Sequence, residues 1–422
     1  MHRDTNAEFI NRKANHINEE STLVSIRRIP YPYRAMLAIC SDLDETPDQQ
    51  MYFETIKYLN TTETTIMGPG VGLETGNTIY FDMPHGQFSY WNTDDKGRAV
   101  IRTLIQSGHI DCLHSYGDLA PTRAHAKRAL AELSRHNCSL EVWIDHGIAP
   151  TNFGPDIMQG QGDVKGSKAY HADITTDFGV KYVWRGRVTS IIGQNAPRRL
   201  RGIWSPQHPK ISCLTVLKEL AKGVYAFCGN TKYAMHGPNQ IMREIRLRSG
   251  QKVFEFMRSN THWGGISYGD NADGLTETLR NEVLSRLVNR DAVSIIYTHL
   301  GKFKRNCKPF YSSTKQALSL LSQYSREGKI LVTTTNRILR YCKAIRDIKL
   351  SASTNDNHYT VNITISVENQ DLNGLSIYVP DQKKTKVLLN GYEVKNITRN
   401  SPDHTGRPSI SLPWQLLEFP RV

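Results

Sequence analysis

The chain has 422 residues, 39% hydrophobic and 22% charged, an ordinary globular balance with length enough for a large domain plus a smaller one. No apolar run approaches the ~18 residues of a membrane span, and residues 1–20 are polar, without the apolar core of a secretory signal; the expectation is a cytoplasmic protein, with association at a membrane surface left open. The formal net charge is +13, and seven scattered cysteines with no C-x-x-C spacing argue against a zinc ribbon and a disulfide framework.

Residues 1–34 read as an irregular, polar extension ending in RRIPYPYR. From residue 35, short apolar runs alternate with amphipathic ones. Strands are predicted at 35–40, 110–115, 140–144, 180–184, 292–299 and 329–335. Helices are predicted at 48–60, 95–108, 121–136, 274–290, 314–328 and 336–348, the first with Pro47 in its opening turn. Residues 185–270 show no clear period. This alternation predicts parallel β/α units over 35–349, with buried strands whose C-terminal ends carry Asp42, Asp44, His114, Asp145, His146 and His299. Beyond residue 349 the period becomes 2, and NGYEV supplies a hairpin turn, so 350–422 read as a small, sandwich-like all-β domain.

The positive charge is uneven. Residues 185–258 hold fourteen Lys and Arg against Glu219, Glu244 and Glu255. Such a segment is either a solvated basic surface or a contact for an anionic partner: an acidic polysaccharide, a lipid-linked sugar or a membrane surface. No helix-turn-helix, zinc-finger or ribonucleoprotein signature supports nucleic acid.

Three stretches carry chemistry. In SDLDE, alternation puts Asp42 and Asp44 on one side of an extended chain, about 6–7 Å apart, which calls for a cation, a shared proton or strong donors. Alternatively, Asp44 or Thr46 simply caps the following helix. In HSYGD, His114 ends a predicted strand and Asp118 follows four residues on; a helical turn there would put both on one face, a suitable pair for a first-row divalent metal. In IIYTHLG, His299 ends a strand, where a histidine serves either as a general acid or as a hydrogen-bonded core residue.

In this order the three stretches resemble the NodB-homology polysaccharide deacetylases of carbohydrate esterase family 4, over roughly residues 35–335. The resemblance implies a distorted (β/α) barrel and a hydrolase that removes N- or O-acetyl groups from a sugar of a surface polysaccharide, O-antigen or capsule, or of its precursor. It implies Asp42 as catalytic base, His299 as general acid, and Asp44, His114 and, in place of the family's second histidine, Asp118 as ligands of a divalent metal. Zinc is the first expectation, with Mn, Fe, Ni or Co as others. The family's arginine-proline motif, whose arginine orients the base, is not evident. EVWIDHG stands in its place, so Trp143, Asp145 and His146 are read as pocket residues, with Asp145 and His146 in an orienting network. His85 and Trp263 are further candidates for substrate contact, Trp faces being suited to sugar rings. A different metal-dependent amidase or acyl transfer, and a non-catalytic glycan-binding protein, are the competing readings.

Overall fold

The computed structural model describes residues 24–42, 46–200, 202–302, 310–365 and 371–421. Two compact units emerge. The larger comprises Tyr33–Leu339 with the chain from Leu416, and the smaller joins the residues up to Pro32 with Arg340–Gln415.

In the larger unit the first strand, β1 (Ala35–Ser41), is the uninterrupted run AMLAICS, and every residue of it is buried. Such a run suits a parallel strand covered on both faces. Helix α1 (Gln49–Asn60) follows; its cap is Asp48, whose carboxylate accepts the Met51 N–H at 2.8 Å, so Pro47 lies just before the helix rather than within it. In chain order there follow β2 (Thr78–Ile79), α2 (Asp95–Gln106), β3 (Cys112–His114), α3 (Arg123–Arg135), β4 (Val142–Ile144), α4 (Ala172–Phe178), β5 (Tyr182–Trp184) and β6 (Val188–Thr189). Next come α5 (Pro209–Phe227), β7 (Met242–Arg246), β8 (Lys252–Phe256), β9 (Arg258–Ser259), α6 (Asn281–Val288), β10 (Val293–Thr298), α7 (Ser312–Arg326), β11 (Ile330–Val332) and α8 (Thr335–Asp347), whose residues from Arg340 on are counted in the smaller unit.

Beside a two-stranded ribbon, Thr64–Thr65 with Gly68–Pro69, the ladders draw two larger sheets. One is wholly parallel, in the order β11-β1-β10-β9-β6; the other runs β7-β8-β5-β4-β3-β2 and is parallel except for the β7–β8 hairpin. A parallel bridge between Ser41 and Asn77 links the end of β1 to the start of β2. Apolar faces of α1, α2, α3, α6 and α7 pack with the strands in one continuous core. The mixed α/β class is therefore as the alternation predicts.

Two expectations change. Residues 274–290 form not one helix but a short turn, Leu275–Thr278, followed by α6, because Arg280 between them is extended (ψ 155°). Residues 185–270, without period in the sequence, hold α5, 19 residues long, and four strands.

The smaller unit is built mainly of two four-stranded sheets. One runs Lys349–Asn355, His358–Thr364, Thr385–Leu389, Tyr392–Glu393. Its last two strands are joined by Asn390 and Gly391, both at positive φ (47° and 87°), the turn that NGYEV predicts. The other sheet places Ser25–Arg27 antiparallel to Ser376–Tyr378, so part of the expected irregular extension is a strand. Val24, Val361, Ile363, Ile377, Val387 and Ile410 lie in its core.

Candidate functional site

The larger unit gathers its polar side chains where parallel strands end. Asp42 follows β1 directly, and its N–H donates to the Thr298 carbonyl at 2.9 Å, continuing the β1–β10 ladder. His299 is the next residue of β10. His114 closes β3 directly opposite Ile144, the last residue of β4, and Asp145 follows it. Adjacent parallel strands thus deliver these side chains to the same edge.

Asp42 is the centre of the cluster. Its carboxylate is buried and accepts from Arg258 Nη1 at 2.8 Å. His114 Nδ1 stands 3.8 Å from one carboxylate oxygen and His299 Nε2 stands 3.9 Å from the other. Burial alone would raise its pKa; the Arg258 guanidinium, helped by His114 and His299, reverses this and holds Asp42 below the usual carboxylate value. Arg258 is itself fully buried, 3.6 Å from the Trp184 ring centre and 4.4 Å from that of Tyr297. A cation held against aromatic faces is well stabilised away from water. Despite its burial, Asp42 keeps it protonated.

Each histidine has a defined orientation. His299 Nδ1 lies 2.6 Å from the Asp270 carbonyl; a carbonyl only accepts, so Nδ1 carries hydrogen and Nε2 faces Asp42 and, at 3.4 Å, the Tyr297 hydroxyl. His114 stacks on Tyr80 with ring centres 4.3 Å apart; Tyr80 Oη is 3.2 Å from its Nε2 and Thr78 Oγ1 is 3.4 Å from its Nδ1. The His146 ring lies 5.1 Å from those of both His114 and Tyr80.

Other candidates sit differently. Asp44 lies outside the described residues. The chain after His114 does not turn helically: Ser115 is left-handed (φ 43°), and Gly117 (φ 104°) passes so close to Asp82 that a Cβ would strike its backbone. Asp118 therefore shares no helical face with His114; its carboxylate accepts from His146 Nδ1 at 2.9 Å. The ion pair of Asp42 is with Arg258, an arginine that the sequence reading did not single out. Trp143 is fully buried among Tyr116, Phe153 and His171, a core position and not a pocket wall. Its Nε1–H and the Phe153 N–H both donate to Asp145 Oδ1, at 2.7 and 2.9 Å. Burial nevertheless pushes the Asp145 carboxyl up to about 7, against those bonds and the charge of Arg185. His85 is exposed, five residues past Tyr80. Trp263 stacks on His208 at 3.8 Å and 7°, in the loop between Arg258 and Asp270, both of which touch the Asp42–His299 pair.

Among the described residues no three of His, Cys, Asp or Glu are placed to hold a metal ion. The side chains present offer a carboxylate held ionised beside two imidazoles, an arrangement chemically able to move protons.

Half of the basic segment's cations are paired with acids, and among its described residues Arg185, Arg187 and Arg258 are buried. Arg185, Arg187 and Arg243 converge on the buried carboxylate of Glu255, Arg248 pairs with Asp163, Lys222 with Glu219 and Lys252 with Glu244. With Arg258 that uses seven of the fourteen cations. No described helix is long and apolar enough to cross a membrane. No family model, curated protein or solved structure matches this chain.

Proposed function

We propose that the chain is a hydrolase that removes an acetyl group from a sugar of a surface glycan or its precursor, on a divergent NodB-type (β/α) barrel. The observation that carries this is Asp42: a buried carboxylate, held ionised by Arg258, flanked within 4 Å by His114 and His299 at neighbouring strand ends. A water placed against Asp42 gives up its proton to that carboxylate as it attacks the acyl carbon. His299, its Nδ1 tied to the Asp270 carbonyl, presents Nε2 as the atom that donates a proton to the departing sugar nitrogen or oxygen. An amine leaves poorly unprotonated, so loss of His299 depresses turnover more than binding.

A divalent metal enters through the sequence resemblance alone. The ligands it implies are His114, Asp118 and Asp44, with zinc preferred; the described residues do not themselves complete such a site, so no step is routed through it. When bound, an ion of this kind polarises the acyl carbonyl and acidifies water. The substrate fitting the strongly basic chain is an anionic or lipid-linked sugar, and Trp263 and His85 are the side chains offered for it.

The decisive experiment is mass spectrometry of N- and O-acetylated hexosaminide oligomers after incubation with the metal-loaded protein. Loss of an acetyl group, falling on the order of 10²–10⁴-fold in Asp42→Asn, supports the proposal. Unchanged product masses across the panel, or an Asp42→Asn protein as active as the wild type, would sink it.

A further inference from the structure

Helix α5 is built the wrong way round for a helix of a globular core. Such helices bury their apolar stripe and expose their polar one. In α5 the face turned to the protein is polar. Ser212, Thr215 and Glu219 are buried, and the Glu219 carboxylate accepts from Thr189 Oγ1 at 2.9 Å, the Ser190 N–H at 3.0 Å and Lys222 Nζ at 2.6 Å. The face turned outward is apolar: Leu214, Leu217, Leu220, Val224 and Phe227 are 57, 55, 43, 61 and 94% exposed, and Trp204, just before the helix, 50%. Their spacing of three and four residues makes one continuous stripe along the helix.

An exposed stripe of this size marks a contact surface, and its charge selects the contact. Glu219 is the only acid of α5, and it points inward. Lys210 and Lys218 stand exposed on the outward half, and Arg199 is exposed upstream. Basic residues beside an apolar face edged with Trp, Tyr225 and Phe are the chemistry of a helix lying in the interface of a negatively charged bilayer. The helix has 19 residues but meets no criterion for spanning, consistent with lying on a bilayer and not across one.

We propose that α5 is a membrane-docking helix that sinks its apolar face into the headgroup region of an anionic lipid bilayer. Docking is independent of which bond the site breaks. It has a consequence for substrate: His208, at the N-terminus of α5, stacks on Trp263, so the helix is tied to the loop that runs from Arg258 to Asp270. A sugar carried on a lipid would then be met at the surface on which it is anchored.

The test is co-sedimentation of the full chain with vesicles of phosphatidylcholine alone and of phosphatidylcholine with phosphatidylglycerol, over a salt series. The wild type binds the anionic vesicles. Leu217→Asp with Val224→Asp, both at exposed positions, weakens that binding at least about tenfold with the melting transition unchanged. Lys210→Glu with Lys218→Glu weakens it several-fold and flattens the salt dependence. Failure of the wild type to sediment with anionic vesicles overturns the proposal, as does undiminished binding by the Leu217→Asp, Val224→Asp protein. A wild type that is dimeric in solution, ignores vesicles and becomes monomeric on that double substitution shows the stripe to be an interface between copies. Neither result bears on the acetyl assay, which uses soluble oligomers.

Discussion

Arg258 decides what Asp42 is. A carboxylate as buried as Asp42 would be protonated at neutral pH if nothing opposed burial, and a protonated acid cannot accept a proton from water. Because the guanidinium holds its pKa below the ordinary value, the stability Asp42 contributes is present at neutral pH and is lost as pH falls through that lowered value. Replacing Arg258 by Met leaves the burial unopposed. The acid limb of the kcat/KM profile then moves to higher pH, and the fold loses about 3–5 kcal/mol, the cost of stranding one member of a buried pair; urea titration and the pH–rate profile measure the two effects. A profile that does not move would show that Arg258 merely packs. Asp42, His114 and His299 are legible in the sequence because each ends an apolar run. Arg258 is not: it lies 216 residues from Asp42 in a stretch whose charge reads as surface. The signal that was there is VFEFMR, an arginine closing an apolar strand, which no solvated surface requires.

At the scale of elements, what the sequence shows depends on how cleanly the apolar residues of an element repeat. The helices from α1 to α3, α7 and α8 are found within a few residues because their buried stripes repeat at helical spacing. Helix α5 escapes because Ile211, Val216 and Ala226 add apolar residues off its stripe, which blurs the period in the sequence. Local chemistry fares better than long-range placement. The Asn390–Gly391 turn follows from two residue types, although the cap of α1 is Asp48 and not Asp44 or Thr46, the residues the sequence offered. Substituting Asp48 by Ala removes the acceptor for the Met51 N–H and is expected to cost about 1 kcal/mol in thermal or urea unfolding, with no change in activity. Asp118 shows the opposite case. Whether it stands beside His114 depends on Ser115 and Gly117 taking positive φ, and a serine gives no warning of that.

For the whole molecule, charge and stability are joined at Asp145. Its carboxyl is pushed by burial up to about 7, far above the value near 4 of an unfolded chain. A raised carboxyl contributes stability that is full below pH ~4 and is lost as pH rises to about 7, so at pH 8 the fold carries an ionised group it does not favour. Asparagine at this position keeps an oxygen for the Trp143 and Phe153 donors and cannot ionise. The stability of Asp145→Asn relative to wild type should therefore grow between pH 4 and pH 8, by up to about 4 kcal/mol, in melts run across that range. A constant difference would place the ionisation elsewhere. The change of period near residue 349 is legible in the sequence, while the division at Arg340 and the strand Ser25–Arg27 are not, because three residues carry too little pattern to reveal a partner some 350 positions away.

The ladder between β1 and β10 has a bearing on how such a protein could diversify. Ser41 is paired with Thr298, and the next step along each strand is Asp42 and His299. The separation between proposed base and proposed acid is thus set by the repeat of two neighbouring parallel strands in the most deeply packed sheet, and no loop spaces them. The loops bearing His85 and Trp263 hang from other strand ends. On the proposed function, lengthening or exchanging those loops would change the substrate without moving Asp42 and His299, whereas a single residue inserted into either strand would turn its side chain to the opposite side of the sheet. Selection for new substrates and selection for the chemistry would act on separate parts of the chain.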